Sequence, residues 1–265
     1  MSNIEPAAVP NNDPIPFAPV PAGTCFWPVR TSDSSKRVVS FLGADSTFVG
    51  NESRRFLALR NDGARYHVGL DLYGIPGDSV VACRDGAVVS FYNFYKNSYA
   101  LFVNHGDVVV NYSEVAADSL ANNGLRVGSQ VKAGQRIGTV AQLDQNGMCH
   151  FETYTPGTEA NARWLVGEKR PPNLLNPTKL LLRLAENGIG IDAAEAAAKN
   201  RALGQSLEWQ TKLAEIGHVL GMSAAPYGAD DPALALAVAK WQCAHSLGED
   251  GVIGPNIWGS LKPAV

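Results

Sequence analysis

The sequence predicts an α+β protein of two domains, in which a mostly β domain with antiparallel sheets precedes a small all-α C-terminal domain. Between residues 38 and 142, short β-type runs alternate with turns that contain glycine, asparagine or proline. No helix of useful length is predicted before about residue 160, whereas helix-forming segments dominate after residue 177. The 265 residues and the hydrophobic content of 45% are enough for two hydrophobic cores.

The first segment, residues 1–24, contains many prolines, asparagines and small residues. Because proline cannot donate a backbone hydrogen bond, this composition disfavours a helix or a central strand. We therefore predict a flexible, extended, Pro-rich arm, with ordered structure beginning at Cys25.

The β part is predicted from runs of β-branched and aromatic residues that end at turns. Two pairs of runs are separated by turns, at Asp85-Gly86 and at residues 105–107, and each pair predicts a hairpin. The candidate strands are 37–42, 56–59, 66–73, 79–83 paired with 87–92, 99–104 paired with 108–112, and short pieces within 125–138.

The helical part begins near Asn176 or Thr178, either of which can cap a helix over residues 178–186, with Pro177 in the first turn. An alanine-rich stretch follows and predicts a helical linker over 187–204. Residues 205–265 are predicted to form three short helices, over 206–216, 231–246 and 255–261.

Composition excludes several classes of protein. The net charge of −3 gives no basis for a nucleic-acid surface, and no apolar run is long enough to span a membrane. The N-terminus has neither the basic start nor the apolar stretch of a secretory signal peptide. The four cysteines show no Cys-x-x-Cys spacing and predict buried free thiols, with a Cys25–Cys83 bridge as the alternative.

Three residues with metal-binding side chains lie in or beside strand-like runs. His67 and Asp71 are separated by three residues in an apolar stretch, and His150 opens a distant one. Two imidazoles and a carboxylate, with a fourth position open to water, form the ligand set of a catalytic zinc site. The alternative for the first pair is a surface histidine beside a solvated aspartate.

An ordered series of short motifs surrounds these residues. The pieces are YHVGLD (66–71), PGDSV (76–80), DGAVV (85–89), VNHG (103–106), VKAGQRIG (131–138) and HFE (150–152). On these motifs, residues 26–182 resemble the lysostaphin/LytM-type zinc metallopeptidases, which cleave peptide bonds in bacterial cell walls. The resemblance implies a LytM-like catalytic domain over 25–186, a Zn²⁺ cofactor, and His67, Asp71 and His150 as its ligands.

The chain departs from this family pattern at two positions. The family usually has a His-x-His pair before Phe-Glu, where this chain has Met148 and His150; it usually has Tyr-x-His, where this chain ends the motif with Glu114. We hypothesise that Glu114 acts as the catalytic general base, since a carboxylate beside a metal can accept a proton. The alternative is a solvated turn carboxylate without a role.

The departures leave the group that stabilises the developing oxyanion undetermined. Methionine at 148 cannot donate a hydrogen bond, and packing beside the site is its expected role. Tyr66, Tyr112 and Asn104 are the candidate donors, and the sequence does not choose among them. His105 follows a strand in a turn and is expected to be structural.

Residues 205–265 resemble the small peptidoglycan-binding domain with a three-helix core. The motifs that carry this resemblance are AVAKWQ (237–242) and DGVIGPNIWGSL (250–261). Trp241 and Trp258 lie on helical faces, where they are expected to be core residues rather than sugar-stacking ones.

Together the two resemblances imply a zinc-dependent peptidoglycan endopeptidase that cleaves peptide cross-links of the bacterial cell wall. The alternative is a catalytically degenerate LytM-like module that binds the wall without hydrolysis. Since no signal peptide is predicted, we expect specialised export of an antibacterial effector, or release of a phage lytic protein, to bring it to the periplasm or cell wall. The expected partners are peptidoglycan and, for an effector, a secretion-system carrier or an immunity protein.

Overall fold

The computed structural model describes residues 14–21, 25–30, 37–42, 47–143, 147–187, 193–203, 220, 231–244, 250–254 and 257. Strands are the main regular structure of the described chain before residue 160, and the longer helices follow residue 177. The strands are β1 (Phe41–Leu42), β2 (Phe48–Val49), β3 (Leu59–Arg60), β4 (Arg65–Tyr66), β5 (Leu70–Gly74), β6 (Ser79–Val81), β7 (Gly86–Tyr95), β8 (Ser98–Asn104), β9 (Val109–Ala116), β10 (Gln130–Val131), β11 (Arg136–Thr139), β12 (Gly147–Tyr154) and β13 (Leu174–Leu175). The α-helices are α1 (Ser119–Asn122), α2 (Thr178–Asn187), α3 (Ala193–Leu203) and α4 (Pro232–Ala244).

The main sheet has the strand order β10-β7-β8-β9-β12-β13, and β5 also pairs with β12. All of these pairings are antiparallel. The smaller pairs β1–β2, β3–β4 and β6–β11 are antiparallel as well. The prediction of a mostly β domain with antiparallel sheets is therefore confirmed.

Strand β12 lies between β5 and β9 over part of its length, and this arrangement positions the candidate site. His150 is the register partner of Asp71 on β5 and of Ser113 on β9. Three strands that are distant in sequence therefore bring a histidine, an aspartate and the neighbourhood of Glu114 to one place on the sheet.

One predicted hairpin is confirmed and the other is wrong. Strands β8 and β9 pair around the turn at 105–107, as their local signals predict. Strand β6, in contrast, pairs with β11 instead of returning into β7. Backbone bonds extend this pairing, since the Ala82 amide donates to the Gln135 carbonyl at 2.9 Å and the Gly134 amide donates to the Ala82 carbonyl at 2.8 Å. The Asp85 carboxylate also accepts from the Ala133 amide at 2.8 Å, which ties the Asp85-Gly86 turn to the turn before β11.

The predicted strand over 66–73 is interrupted. It is divided into β4 and β5, and between them the His67 amide donates to the Ala58 carbonyl and the His67 carbonyl accepts from the Leu57 amide, both at 2.8 Å. Of the predicted strands 37–42 and 56–59, the first is reduced to β1, and Leu59 begins β3.

Part of the arm predicted to be flexible is packed against the β domain. Ile15 and Ala18 are buried, and Phe17 forms a parallel bridge with Asn176. The Ala18 amide donates to the Asn176 carbonyl at 2.9 Å, and the Asn176 amide donates to the Pro16 carbonyl at 2.8 Å. The correction has a simple cause: an extended proline-containing segment can still pair at the edge of a domain.

Helix α2 begins as predicted, because the Asn176 side chain accepts a hydrogen bond from the Thr178 amide at 3.0 Å. Helices α3 and α4 share a small apolar cluster with Phe26 and Val81 of the β part. The predicted helices over 206–216 and 255–261, together with Trp258, lie outside the described residues. The division into two domains, with boundaries at 186 and 204, stays a prediction.

The large core is built mainly from strands β5, β8, β9 and β12, and it covers both faces of β8, where residues 100–103 are all buried. Cys25, Cys83 and Cys149 are buried free thiols in it, so the alternative Cys25–Cys83 bridge is not formed. Among the described residues, no helix is long and apolar enough to cross a membrane.

Candidate metal centre

The three residues predicted as metal ligands come together in the structure. One potential ligand atom from each of His67, Asp71 and His150 lies within 4.8 Å of the others, and all three residues are buried. His67 comes from the break between β4 and β5, Asp71 from β5, and His150 from β12. The alternative of a surface histidine beside a solvated aspartate is therefore wrong.

His67 is held in one tautomer by the backbone. Its Nδ1 lies 2.8 Å from the Arg55 carbonyl oxygen, which can only accept, so Nδ1 carries the proton. Nε2 is then an acceptor, and it lies 3.1 Å from the Asp71 Oδ1 atom. Burial lowers the pKa of His67, which favours the neutral form that a metal ligand requires.

His150 is held by a carboxylate on each side. Its Nδ1 lies 2.8 Å from Asp71 Oδ1, and its Nε2 lies 2.9 Å from Glu152 Oε1. Burial alone would lower the pKa of His150, but the hydrogen bonds to Asp71 and Glu152 raise it to about 10. In this form both ring nitrogens donate, and a metal ion would replace the proton on Nδ1.

Glu152 is a functional residue that the sequence analysis did not assign. It is almost completely buried, and its Oε2 atom accepts hydrogen bonds from Asn111 at 2.6 Å and from the Tyr154 hydroxyl at 2.9 Å. The His150–Glu152 spacing gave a signal, because residues i and i+2 of a strand lie on the same face. Outer partners of this kind fix the ring orientation and tautomer of a metal-binding histidine.

Asp71 is shared between the histidines and an arginine. Burial would raise the pKa of Asp71, but the hydrogen bond from His150 and the neighbouring His67 imidazole lower it well below its usual range. Its second oxygen, Oδ2, accepts a charge-assisted hydrogen bond from Arg60 Nη2 at 2.6 Å. Oδ1 is thus the oxygen that faces both imidazoles.

This donor set fits a zinc ion. His67 Nε2 and Asp71 Oδ1 are both acceptors, yet they face each other at 3.1 Å, an arrangement that a shared cation would stabilise. Two imidazole nitrogens and a carboxylate oxygen are ordinary zinc ligands, and each histidine has its other nitrogen occupied by a protein acceptor. His67, Asp71 and His150 would therefore hold the metal.

A cleft opens over the three residues. Its walls combine aromatic, acidic and basic side chains, which suits a polar chain such as a peptide. The residues that line it are Arg60, Asn61, Arg65, His67, Asp71, Phe94, Tyr95, Glu114, Met148, His150, Glu152, Asn161, Ala162 and Arg163. Phe94 stacks on His150 with ring centroids 5.7 Å apart, so it limits access of water to one face of that ring.

Glu114 reaches the cleft because its strand has a bulge. The register between β8 and β9 shifts at this point: Tyr99 pairs with Val115 and Ala100 with Ser113, so Glu114 is the extra residue. Its backbone has φ +64°, a left-handed conformation that is uncommon for a side chain with a Cβ. Burial raises the pKa of Glu114, as expected for a carboxyl in a cleft wall.

Met148 also lines the cleft, whereas the three predicted oxyanion donors do not. Tyr112 is fully buried, and its hydroxyl accepts from the Cys83 amide at 2.9 Å and lies 3.0 Å from His105 Nε2. The Asn104 side chain accepts from the Gly106 amide, and the Tyr66 ring packs on Trp164. These contacts assign structural roles to Tyr112 and Asn104, and Tyr66 lies outside the cleft lining.

Gly69, between two ligands, is required by close packing. A Cβ at this position would lie 2.7 Å from the Phe151 carbonyl oxygen and 2.8 Å from His150 Cε1. Strand β12 therefore passes too close to the His67–Asp71 segment for any residue larger than glycine.

Comparison with known proteins supports the peptidase reading of this site. The model of Peptidase family M23 matches residues 65–162, a segment that includes the three candidate ligands, Glu114 and Glu152. The match agrees with the LytM-type resemblance of the β domain. It ends before residue 205, so the peptidoglycan-binding domain stays a prediction.

Several solved structures are similar to this chain, and three of them are described here. LytU shares 20% identity over 46% of this chain and 72% of its own, with a TM-score of 0.30. CbpA from L. salivarius REN shares 19% sequence identity, and the match covers 57% of this chain and 99% of CbpA, with a TM-score of 0.39. A zinc-containing peptidase from Vibrio cholerae shares 20% sequence identity, and the match covers 50% of this chain and 47% of that peptidase, with a TM-score of 0.29. These scores are too low to carry a functional argument, and no curated protein matches the chain.

Proposed function

We propose that this chain is a zinc-dependent peptidoglycan endopeptidase that cleaves peptide cross-links of the bacterial cell wall. The observation that carries the proposal is the convergence of His67, Asp71 and His150 within the segment that matches a peptidase family. A structural ion site would be closed by a fourth protein ligand, whereas this group of three opens onto a cleft among the described residues.

In the proposed reaction, a zinc ion would activate the carbonyl and the water, and side chains of the protein would transfer the proton and orient the site. A bound zinc would polarise the peptide carbonyl and lower the pKa of water. Glu114 would accept the proton of the attacking water and deliver it to the nitrogen of the leaving amine. Glu152 would keep His150 in the orientation that presents Nδ1 to the metal, and Phe94 would shield that side of the site.

Peptidoglycan is the proposed substrate because the two halves of the chain point to the same polymer. The β domain resembles wall peptidases, and residues 205–265 resemble a peptidoglycan-binding domain that would tether the enzyme to the wall. The test is release of new free amino groups from purified cell wall. We expect release by the wild type and its loss in His67→Ala; equal release by both proteins would contradict the proposal.

A catalytically degenerate wall-binding module is the second candidate. Its support is the replacement of two family histidine positions by Glu114 and Met148. This module would pellet with purified wall but release no amino groups at any pH or with any added metal. Hydrolysis that depends on added zinc would eliminate it.

For delivery, we propose specialised export as an antibacterial effector, or release as a phage lytic protein, to the periplasm or cell wall. A secretion-system carrier would recognise the Pro-rich arm, and an immunity protein would protect the producing cell. Because Ile15 and Ala18 are packed, the informative deletion is residues 1–13. We expect it to abolish delivery and to leave wall hydrolysis unchanged; loss of hydrolysis instead would contradict a role for the arm in delivery.

A further inference from the structure

We infer that Arg60 is the group that stabilises the oxyanion formed when the peptide carbonyl is attacked. This inference rests on the proposed peptidase function and names a catalytic residue for it. At the two positions where the family has histidines, the cleft lacks a hydrogen-bond donor for an oxyanion. The side chains at 114 and 148 are a carboxylate and a thioether, and neither of these groups can donate to an anion. Tyr66, Tyr112 and Asn104 do not line the cleft.

Arg60 has the position that this role requires. Its Nη2 atom donates to Asp71 Oδ2 at 2.6 Å, so the guanidinium is anchored beside the metal ligands. The same nitrogen lies 3.2 Å from Nε2 and 3.3 Å from Nδ1 of His67. Because Arg60 Nη2 is almost equidistant from the two ring nitrogens, it lies over the imidazole ring and not in line with the Nε2 lone pair. That lone pair stays available for a metal ion.

The other two nitrogens of the guanidinium, Nη1 and Nε, make no hydrogen bond to a described residue. Every hydrogen bond that Arg60 makes to a described side chain uses Nη2, and 27% of the side chain is exposed to the cleft or solvent. Arginine has five donors in a rigid fork, so Nη1 and Nε can still donate while Nη2 holds Asp71. A donor that is anchored before the substrate arrives needs no reorganisation as charge develops.

A second arginine lies beside Arg60 at the cleft. Arg60 and Arg65 are direct register partners in the β3–β4 pair, and both line the cleft. Like charges directly opposite each other destabilise an antiparallel pair. Asp71 balances one of these two positive charges, so the pair leaves a net positive charge at the cleft that an anionic intermediate can balance.

The step balances with the residues described. The water oxygen bonds to the carbonyl carbon, the water proton goes to Glu114, and the C=O π pair becomes the negative charge that Arg60 binds. When the C–N bond breaks, that pair restores the C=O bond, and the proton on Glu114 goes to the leaving nitrogen. The products are a carboxyl group and a free amine, and Arg60 remains cationic throughout.

The test compares Arg60→Met, Arg60→Lys and Arg84→Met. Arg84 is the matched control, because it also donates to a single aspartate, Asp107 at 2.7 Å, but lies outside the cleft lining. For each folded protein, zinc content and hydrolysis of soluble cross-linked wall fragments are measured. We expect each variant to bind zinc as the wild type does, and Arg60→Met to lose about 10²- to 10³-fold in kcat with little change in KM.

Two further readouts separate a catalytic role from a structural one. Arg60→Lys should recover part of the lost kcat, and millimolar guanidinium should partly rescue Arg60→Ala. A phosphinate analogue of a wall peptide, which resembles the tetrahedral intermediate, should bind Arg60→Met more weakly in calorimetry, while product binding should not change.

Three outcomes would overturn the inference. Wild-type kcat in zinc-loaded Arg60→Met would show that the oxyanion is bound elsewhere. Loss of zinc from Arg60→Met, with normal kcat restored by excess zinc, would make Arg60 only a positioning residue for Asp71. A zinc-loaded wild type that releases no amino groups would remove the proposed function and this inference together, and it is recognised because the wild type itself fails.

Discussion

His150 Nε2 lies 2.9 Å from Glu152 Oε1, two residues further along the same strand. This contact leaves Nδ1 as the nitrogen that faces Asp71 and His67. We predict that Glu152→Gln weakens zinc affinity by about 10- to 100-fold, since an outer carboxylate fixes the tautomer and raises the basicity of the ligand. Competition with a chelating indicator measures the effect. The exposed Glu159→Gln is the control, and equal affinity in both variants would contradict the prediction.

Gly69 provides a second test of the same geometry. An alanine there would place its Cβ 2.7 Å from the Phe151 carbonyl oxygen, and Phe151 cannot retreat because it is paired with Leu70 and Tyr112. Overpacking of this kind typically costs about 1–3 kcal/mol. We therefore expect Gly69→Ala to lower both the free energy of unfolding and the zinc affinity.

The control for Gly69 is Gly254→Ala. No described residue lies within 4 Å of a Cβ at Gly254, and its backbone is not in the left-handed region. Chemical denaturation and zinc titration of both variants compare them directly. Equal stability and equal zinc binding would show that β12 does not pass as close to the site as described.

Glu114 can be tested for catalysis and strain separately. We predict that Glu114→Gln lowers the hydrolysis rate by about 10²- to 10⁴-fold, because an amide cannot accept the proton of water, while zinc stays bound. Glu114→Gly should be equally inactive but at least as stable as wild type, because glycine adopts φ +64° without steric cost. Full activity in Glu114→Gln would support the alternative of a carboxylate without a role.

His105 predicts a pH dependence of stability. Burial lowers its pKa to about 4, so the unfolded chain, with a usual pKa near 6.5, binds more protons between these values. The stabilisation is complete above about pH 6.5 and is lost as the pH falls toward 4, by up to about 3 kcal/mol. The charged neighbours Arg84 and Asp107 act in opposite directions on this pKa and are weaker than burial.

Denaturant unfolding of wild type and His105→Gln at several pH values between 4 and 7 measures this contribution. Other titrating groups, including His67, are common to both proteins, so the difference between the two curves isolates His105. We expect the wild type to lose more stability than the variant as the pH falls. Parallel curves would contradict the assignment of a buried neutral His105.

The parts of the fold that were predicted correctly are those with local signals. The turn at 105–107 predicts the β8–β9 hairpin, and Asn176 before Pro177 predicts the start of α2. The β6–β11 pairing was missed because its partners are more than fifty residues apart and are joined through Asp85 and the turn at 132–135. A local sequence pattern cannot predict which distant strand β6 pairs with.

The candidate site divides in the same way. Its three candidate metal ligands lie in recognisable motifs, and Glu114 was found from its motif position. The bulge that turns Glu114 into the cleft depends on a register shift between strands. Arg60 lies outside every motif and reaches Asp71 only because β3 folds back onto β4. Its role could therefore not be assigned before the tertiary structure was known.

The most direct test of the account is the metal content of the purified protein, measured by elemental analysis for wild type and His150→Ala. We expect about one zinc per chain in the wild type, since His67, Asp71 and His150 converge as an open three-ligand site. The variant should bind zinc much more weakly and lose it on dialysis. A folded wild type that binds no zinc after supplementation would contradict the central claim and favour the wall-binding module.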